Sequence, residues 1–287
     1  MEKIEPNLRE TVLYLSGEIG ERSHGDLEKL SRSAAYIEQR FLSIGCRAER
    51  QEFTYRENTY CNIIASVAGV RPDSDGILVV GAHYDTVEGT PGADDNASGI
   101  AGLLELARLA SKDPFARTVR FVAFTLEEPP TFMTRSMGSY ECAKRLREEG
   151  VAVSGMISLE MLGYFRDEEA SQLYPSSFIR PFFPERGNFI SFVGNLSSRK
   201  FTRKVKKAFM AASTFPVESL NAPSVIPGVD FSDHRNFWKF GYPAFMVTDT
   251  AFYRNPNYHA AGDTADTLDY GKMAAVIAGL YQALRDI

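Results

Sequence analysis

Apolar residues at Leu27, Leu30, Ala34, Ile37 and Phe41 recur at the spacing of one helix face. This predicts a helix over 27–41, closed by Gly45. Period-two and β-branched runs over 46–55 and 60–69 read as two strands, joined by the polar turn Arg56–Thr59. Runs that are apolar almost throughout follow at 76–85, 118–126 and 151–160, as expected of strands buried on both faces. Between them, Ile100, Leu103, Leu104 and Ala107 mark one helix and residues 138–150 another. Further strands are expected at 188–195 and 242–250, and further helices at 196–212 and 270–284. Alternating buried strands and helices predict an α/β fold with a mainly parallel, mixed central sheet flanked by helices on both faces. No linker or repeat divides the chain, so a single domain over 1–287 is expected. Residues 1–25 read as an N-terminal arm. Residues 163–187 are aromatic and proline-bearing without periodicity, which reads as an active-site loop.

Composition narrows the partners. A net charge of −5 over 287 residues argues against nucleic acid, whose phosphates demand a basic surface. No apolar run approaches the roughly 20 residues that span a bilayer, so no membrane partner is expected. The first residues lack the apolar core of a signal peptide. A cytoplasmic location is therefore expected for the chain as given, and a secreted or periplasmic one if a signal peptide was trimmed. Cys46, Cys61 and Cys142 show no CxxC spacing, which argues against a cysteine zinc site. Cys46 and Cys61 could pair only if adjacent strands carried them. The sequence leaves the oligomeric state open.

The candidate chemistry sits where the buried strands stop. One strand runs into His83 and Asp85, the next into Glu127 and Glu128, the third into Glu160. In open α/β sheets ligands bind beyond the carboxyl ends of the strands, so these side chains would converge on one crevice. The alternative is that a chain simply becomes polar where it meets water. Carboxylates crowded together repel one another unless some take up protons or a cation sits among them. His, Asp and Glu are the donor set of catalytic zinc. A second imidazole would come from His24, His234 or His259. His24 reads as a loop residue, His234 lies in an aromatic, helical segment that suits a structural role, and His259 lies in a loop-rich acidic stretch before the last helix.

Together, "HYDTV" (83–87), "GADDNASG" (92–99), the pair Glu127–Glu128 and "YHAAGDTADTLD" (258–269) resemble the dizinc aminopeptidases, co-catalytic zinc exopeptidases that also include the glutaminyl cyclases. The resemblance implies two Zn2+ ions per chain. It assigns His83 and Glu160 to the first ion, Glu128 and His259 to the second, and Asp95 to both. It implies that Asp85 holds the second imidazole nitrogen of His83, that Asp94 is not a ligand, and that the peptide after Asp95 is cis. Glu127 would be the general base and Tyr258 would polarise the substrate carbonyl. Glu160 departs from the pattern, which more often has Asp there. The link "EEPPTFMTRSMGS" departs too, being shorter and glycine-rich in many relatives. Consecutive strand residues point opposite ways, so Glu127 and Glu128 can both face the crevice only if the strand has already ended; Pro129–Pro130 fits such a break.

The chemistry implied is hydrolysis of the N-terminal residue of a peptide with a free α-amine. Two zinc ions offset Asp95, Glu128, Glu160 and one hydroxide, leaving a neutral core. Glu127 would take the proton of the water and return it to the leaving amine, with Tyr258 beside the oxyanion. Gly89, Gly92 and Gly99 would let the chain fold back so that Asp95 meets His83. Phe182 and Phe183 would suit an apolar substrate side chain, and Arg180 and Arg186 either a peptide or solvent. Competing readings are a glutaminyl cyclase-like acyltransferase, a non-catalytic peptide-binding relative, and a domain whose loops are merely acidic.

Overall fold

A computed structural model describes residues 4–71, 76–177, 179–285 and 287. The strands are β1 (Ala48–Tyr55), β2 (Asn58–Val67), β3 (Ile77–His83), β4 (Val119–Phe124), β5 (Val153–Glu160), β6 (Ile190–Gly194), β7 (Val217–Asn221) and β8 (Ala244–Thr248). They form one sheet in the order β1-β2-β4-β3-β5-β8-β6-β7. The central strands β4, β3, β5 and β8 are mutually parallel, and antiparallel pairs occur at β1/β2, β2/β4 and β6/β8. The architecture is thus the mixed α/β sheet that the buried, alternating runs predict.

The helices are α1 (Ile4–Val12), α2 (Leu27–Ser43), α3 (Gly99–Lys112), α4 (Gly138–Glu148), α5 (Arg199–Ala212), α6 (His234–Lys239) and α7 (Tyr270–Leu284). Alternate residues of the central strands feed two cores. Leu78, Val80, Phe121, Ile157, Leu159 and Phe245 face the larger one, with apolar side chains of α1, α2, α3, α5 and α7. Val79, Val122, Phe124, Met156 and Ala244 face the smaller one, under α4 and α6. Strands covered on both faces cannot alternate polar and apolar, which is why their sequence is apolar throughout.

Three local outcomes differ from the sequence expectation. The hairpin turn is tighter than Arg56–Thr59: Tyr55 already pairs with Asn58, and Arg56 takes a left-handed φ of 54°. The stretch read as an N-terminal arm carries a helix that periodicity did not mark. Its helix α1 buries Ile4, Leu8 and Val12 against α3 and α7. The polar residues between those positions hid the stripe. β7, which the sequence reading passed over, is a half-buried edge strand too short to show a period. All three cysteines are free.

Candidate active site and metal centre

β3, β4 and β5 run parallel, so their carboxyl ends lie side by side. His83 ends β3 and Glu160 ends β5, while Glu127 and Glu128 follow β4 after a left-handed Leu126 at φ 60°. β4 has ended by Phe124, so the two glutamates are not bound to opposite faces and both reach the crevice. Pro129–Pro130, a cis peptide, follows them.

The loop from His83 to Asp95 returns to its starting point. Gly89 and Gly92 make the turns, at φ 83° and 62°. Gly99 serves differently: its backbone is helical, but a Cβ there would collide with Asn96 Oδ1 and the Leu159 carbonyl. The Asp95–Asn96 peptide is cis. Asp95 Oδ1 then lies 3.3 Å from His83 Nε2, and Asp95 Oδ2 lies 3.2 Å from His259 Nε2. His83 Nε2 is also 3.4 Å from Glu160 Oε1 and 4.0 Å from Glu127 Oε2. His259 Nε2 is 3.3 Å from Glu128 Oε2. Each of the trios His83/Asp95/Glu160 and Asp95/Glu128/His259 places its donor atoms within 4.8 Å of one another, and so does His83/Glu127/Glu128.

The donor set fits a cation. His259 Nε2 and Glu128 Oε1 are buried and make no hydrogen bond, although acceptor oxygens surround the imidazole nitrogen. Burial lifts the Glu127 carboxyl well above its usual range, and the nearby Glu128 and Glu160 add to this. Burial, then the charge of Asp95, pushes Glu128 up to about 8. Burial also raises Glu160. Burial opposes charge on His259, yet its contacts with Asp95 and Glu128 overcome this and raise it to about 10. The same balance raises His83, through Glu160 and Glu127. Every shift answers one deficit, too many acids and too little positive charge in a dry place.

Asp85 lies beside the second imidazole nitrogen of His83. Its carboxylate stands 3.6 Å from Nδ1, while its backbone carbonyl is 3.2 Å away. The carboxylate oxygens also accept the backbone N–H groups of Glu127 and Glu128, at 3.2 and 3.1 Å. Asp85 thus ties the β3 end to the acid pair. Ser232 donates to Glu160 Oε2 at 2.7 Å, which supports the longer side chain. Tyr258, half-buried, stacks on the His259 ring at 3.8 Å, and burial raises its phenol. Asp94 accepts from Gly163 N and Asn255 Nδ2 and has no place in the three donor groups. His234 bonds the Val229 carbonyl and His24 stands apart.

Sequence reasoning missed two residues that build the site. Asp263 accepts the backbone N–H groups of Asp94 and Asp95, at 2.8 and 3.0 Å. Its signal was available, four positions after His259 in an acidic loop. Arg22 gave no signal. It is fully buried, and its guanidinium donates to the carbonyls of Leu15, Gly20, Tyr84, Pro91 and Gly92. It therefore ties Tyr84, Pro91 and Gly92 of the His83–Asp95 loop to Leu15 and Gly20 of the N-terminal stretch.

An apolar cavity opens beside the donors. Glu160 and Tyr258 border it, and Tyr174, Phe183, Phe189, Val193, Met246 and Phe252 form its walls. Residues 163–187 supply one wall. Gln172 anchors that wall through Thr250 and Arg254. Phe183 faces the cavity, whereas Phe182 is 81% exposed. Arg180 and Arg186 form exposed pairs with Glu185 and Glu169.

A mixed α/β sheet with His, Asp and Glu donors at its parallel strand ends has the form of a metal-binding enzyme site. The chain belongs to peptidase family M28, whose pattern it matches over residues 62–284, and is thereby a hydrolase of the peptidase class. It is 43% identical to the uncharacterized protein YfbL of Escherichia coli, over 96% of this chain and 86% of that one. It is 28% identical to a probable leucine aminopeptidase of Arthroderma otae, over 80% of this chain but 56% of that protein's length. Among solved structures, BSAP, a zinc aminopeptidase from Bacillus subtilis, superposes with a TM-score of 0.76 at 17% identity, covering 98% of this chain and 95% of its own. A glutaminyl cyclase of Bacteroides thetaiotaomicron superposes with 0.74 at 18%, covering 99% and 98%. At such identities the two structures speak for the fold alone.

Proposed function

We propose that this chain is a zinc-dependent aminopeptidase that releases N-terminal residues from peptides, with two metal ions. One observation carries the reading: Asp95 presents one oxygen to His83 and the other to His259, so a single carboxylate belongs to two donor trios. His83, Asp95 and Glu160 would hold one ion; Asp95, Glu128 and His259 would hold the other. When bound, a zinc pair acidifies a water and polarises the substrate carbonyl. The remaining work falls to the chain. Glu127, buried and 4.0 Å from His83 Nε2, accepts the proton of the attacking water and passes it to the leaving amine. The Tyr258 hydroxyl, kept protonated by burial, donates to the carbonyl oxygen as it gains charge. The apolar cavity receives the first side chain and excludes water around it. The free α-amine of a peptide would approach the metals and their carboxylates, which favours cleavage from the N-terminus. The leucine aminopeptidases among its relatives support this reading.

The second trio favours hydrolysis over the cyclase alternative, whose members typically bind one ion. The test is metal content by atomic emission, joined to p-nitroaniline release from leucine p-nitroanilide. The purified protein should carry two zinc per chain. Glu127→Gln should retain them while kcat falls about 10²–10⁴-fold, the range for a lost general base. A single zinc together with ammonia release from a Gln-initiated peptide would replace the proposal with the cyclase. A chain that neither retains nor rebinds metal would end both.

A further inference from the structure

The net charge of −5 conceals an uneven distribution. α5 carries Arg199, Lys200, Arg203, Lys204, Lys206 and Lys207 and no acid. The chain's other 26 Lys and Arg face 37 acids, so a helix of +6 sits on a body of −11. Thr202, Val205 and Phe209 bury the inner side of α5, while Arg199, Lys200, Arg203, Lys204 and Lys207 are exposed. Among the described residues, Lys206 alone of the six has an acidic partner, Glu218 at 3.5 Å.

Such a face is costly to leave in water. Arg199/Arg203, Lys200/Lys204 and Arg203/Lys207 are like charges four residues apart, an arrangement that destabilises a helix. A merely solvated face intersperses acids at that spacing. Apolar side chains mark both ends of the row. Leu196 and Met210 are 59% and 62% exposed, and they share one groove with Arg199, Arg203, Lys206 and Lys207.

The row also has a fixed relation to the catalytic crevice. β6 runs antiparallel to β8, with Ser191 opposite Thr248 and Gly194 opposite Phe245. Thr248 pairs with Glu160 at the site end of the sheet. Gly194 therefore points to the other end, where the row starts at Leu196; α5 then runs back along the sheet, because β7 begins beside Ile190 at the crevice end.

We propose that this face of α5 docks on an anionic phospholipid bilayer. A cluster of this size on an amphipathic helix matches the charge density of such a surface. Leu196 and Met210 would enter the boundary between headgroups and acyl chains, an apolar phase that a nucleic acid lacks. The acidic remainder of the molecule is repelled by the same surface. One orientation results, with α5 against the surface and the acidic body turned away from it. Lying on a membrane needs no spanning segment, so the lack of a long apolar run does not bear on it. The sequence expectation of no membrane partner rested on that run alone, which does not report the charge distribution.

Co-sedimentation tests the proposal, using vesicles of phosphatidylcholine alone and of phosphatidylcholine mixed with phosphatidylglycerol. The intact protein should pellet with the mixed vesicles at low salt, stay in solution with the neutral ones, and be released as salt rises. Arg203→Glu/Lys207→Glu should weaken binding roughly tenfold or more with the melting temperature preserved. Leu196→Ser/Met210→Ser should weaken it several-fold at constant salt. Pelleting that ignores the charge reversal, or none at low salt, overturns the proposal. So does a preference for heparin or single-stranded DNA over the mixed vesicles. Insensitivity to the serine pair also overturns it, as does self-association in ultracentrifugation that the charge reversal abolishes without any vesicle binding.

Discussion

Replacing Arg22 with methionine keeps most of the side-chain volume and removes five hydrogen bonds at once. The orphaned acceptors would be the carbonyls of Leu15, Gly20, Tyr84, Pro91 and Gly92, at 2.7–2.9 Å in the intact protein. Burial lowers the guanidinium to about 10, partly offset by Asp263 and Asp85, so Arg22 remains charged at neutral pH. Hydrogen bonds to a charged donor contribute about 1.5–3 kcal/mol each, but five on one group do not add. Water entering the vacated space recovers part of the loss. Breaking a buried, hydrogen-bonded charge network typically costs about 3–5 kcal/mol, and about 4 is expected here. For 287 residues the unfolding entropy is roughly 0.6 kcal/mol/K, so the melting temperature should fall by about 6–7 °C. Arg22→Lys retains the charge and up to three donors and should lose roughly half as much. Activity should fall with stability, because the clamped carbonyls flank the loop that brings Asp95 back to His83. The assay is a thermal melt by circular dichroism alongside turnover of leucine p-nitroanilide and zinc content. A Met variant that melts within a degree of the parent and turns over normally would refute the clamp.

Two further outcomes are expected. Val193 lines the apolar cavity, so Val193→Phe should raise KM for leucine and phenylalanine p-nitroanilides more than for the alanine substrate; an equal change in all three would show that the cavity does not receive the side chain. His234 is buried and donates to the Val229 carbonyl at 2.9 Å, and desolvation lowers it from 6.5 to about 4. A depressed histidine resists protonation only in the folded state, so its stabilisation is complete above pH 6.5 and fades as pH falls toward 4. The loss reaches about 3 kcal/mol, at 1.36 kcal/mol per pH unit of that 6.5-to-4 difference. His234→Gln keeps a donor for Val229, so its melting temperature should fall less than the parent's between those pH values. Parallel pH profiles would contradict the linkage.

Much of the catalytic end was legible because its signals are local. His83, Glu127 and Glu160 each follow an apolar run of strand length, and the register of parallel strands then places them side by side. Gly89 and Gly92 advertised a loop that turns back, and both are left-handed. The roles of Asp85 and Asp263 were not legible in the same way. Both carboxylates bind backbone N–H groups of distant residues, and a backbone group leaves no mark on sequence composition.

By itself the sequence determined the alternation of elements, the burial of the central strands and the kinds of donor available at their ends, because periodicity and residue chemistry act within a few positions. Tertiary structure decided which of those donors meet. It folded α1 onto α3 and α7, and it set a buried arginine against five carbonyls from two segments. It also packed the basic helix α5 against the edge strand β7. Those outcomes depend on distances between residues far apart in the chain, and charge and hydrogen bonding act through distance, not through sequence order.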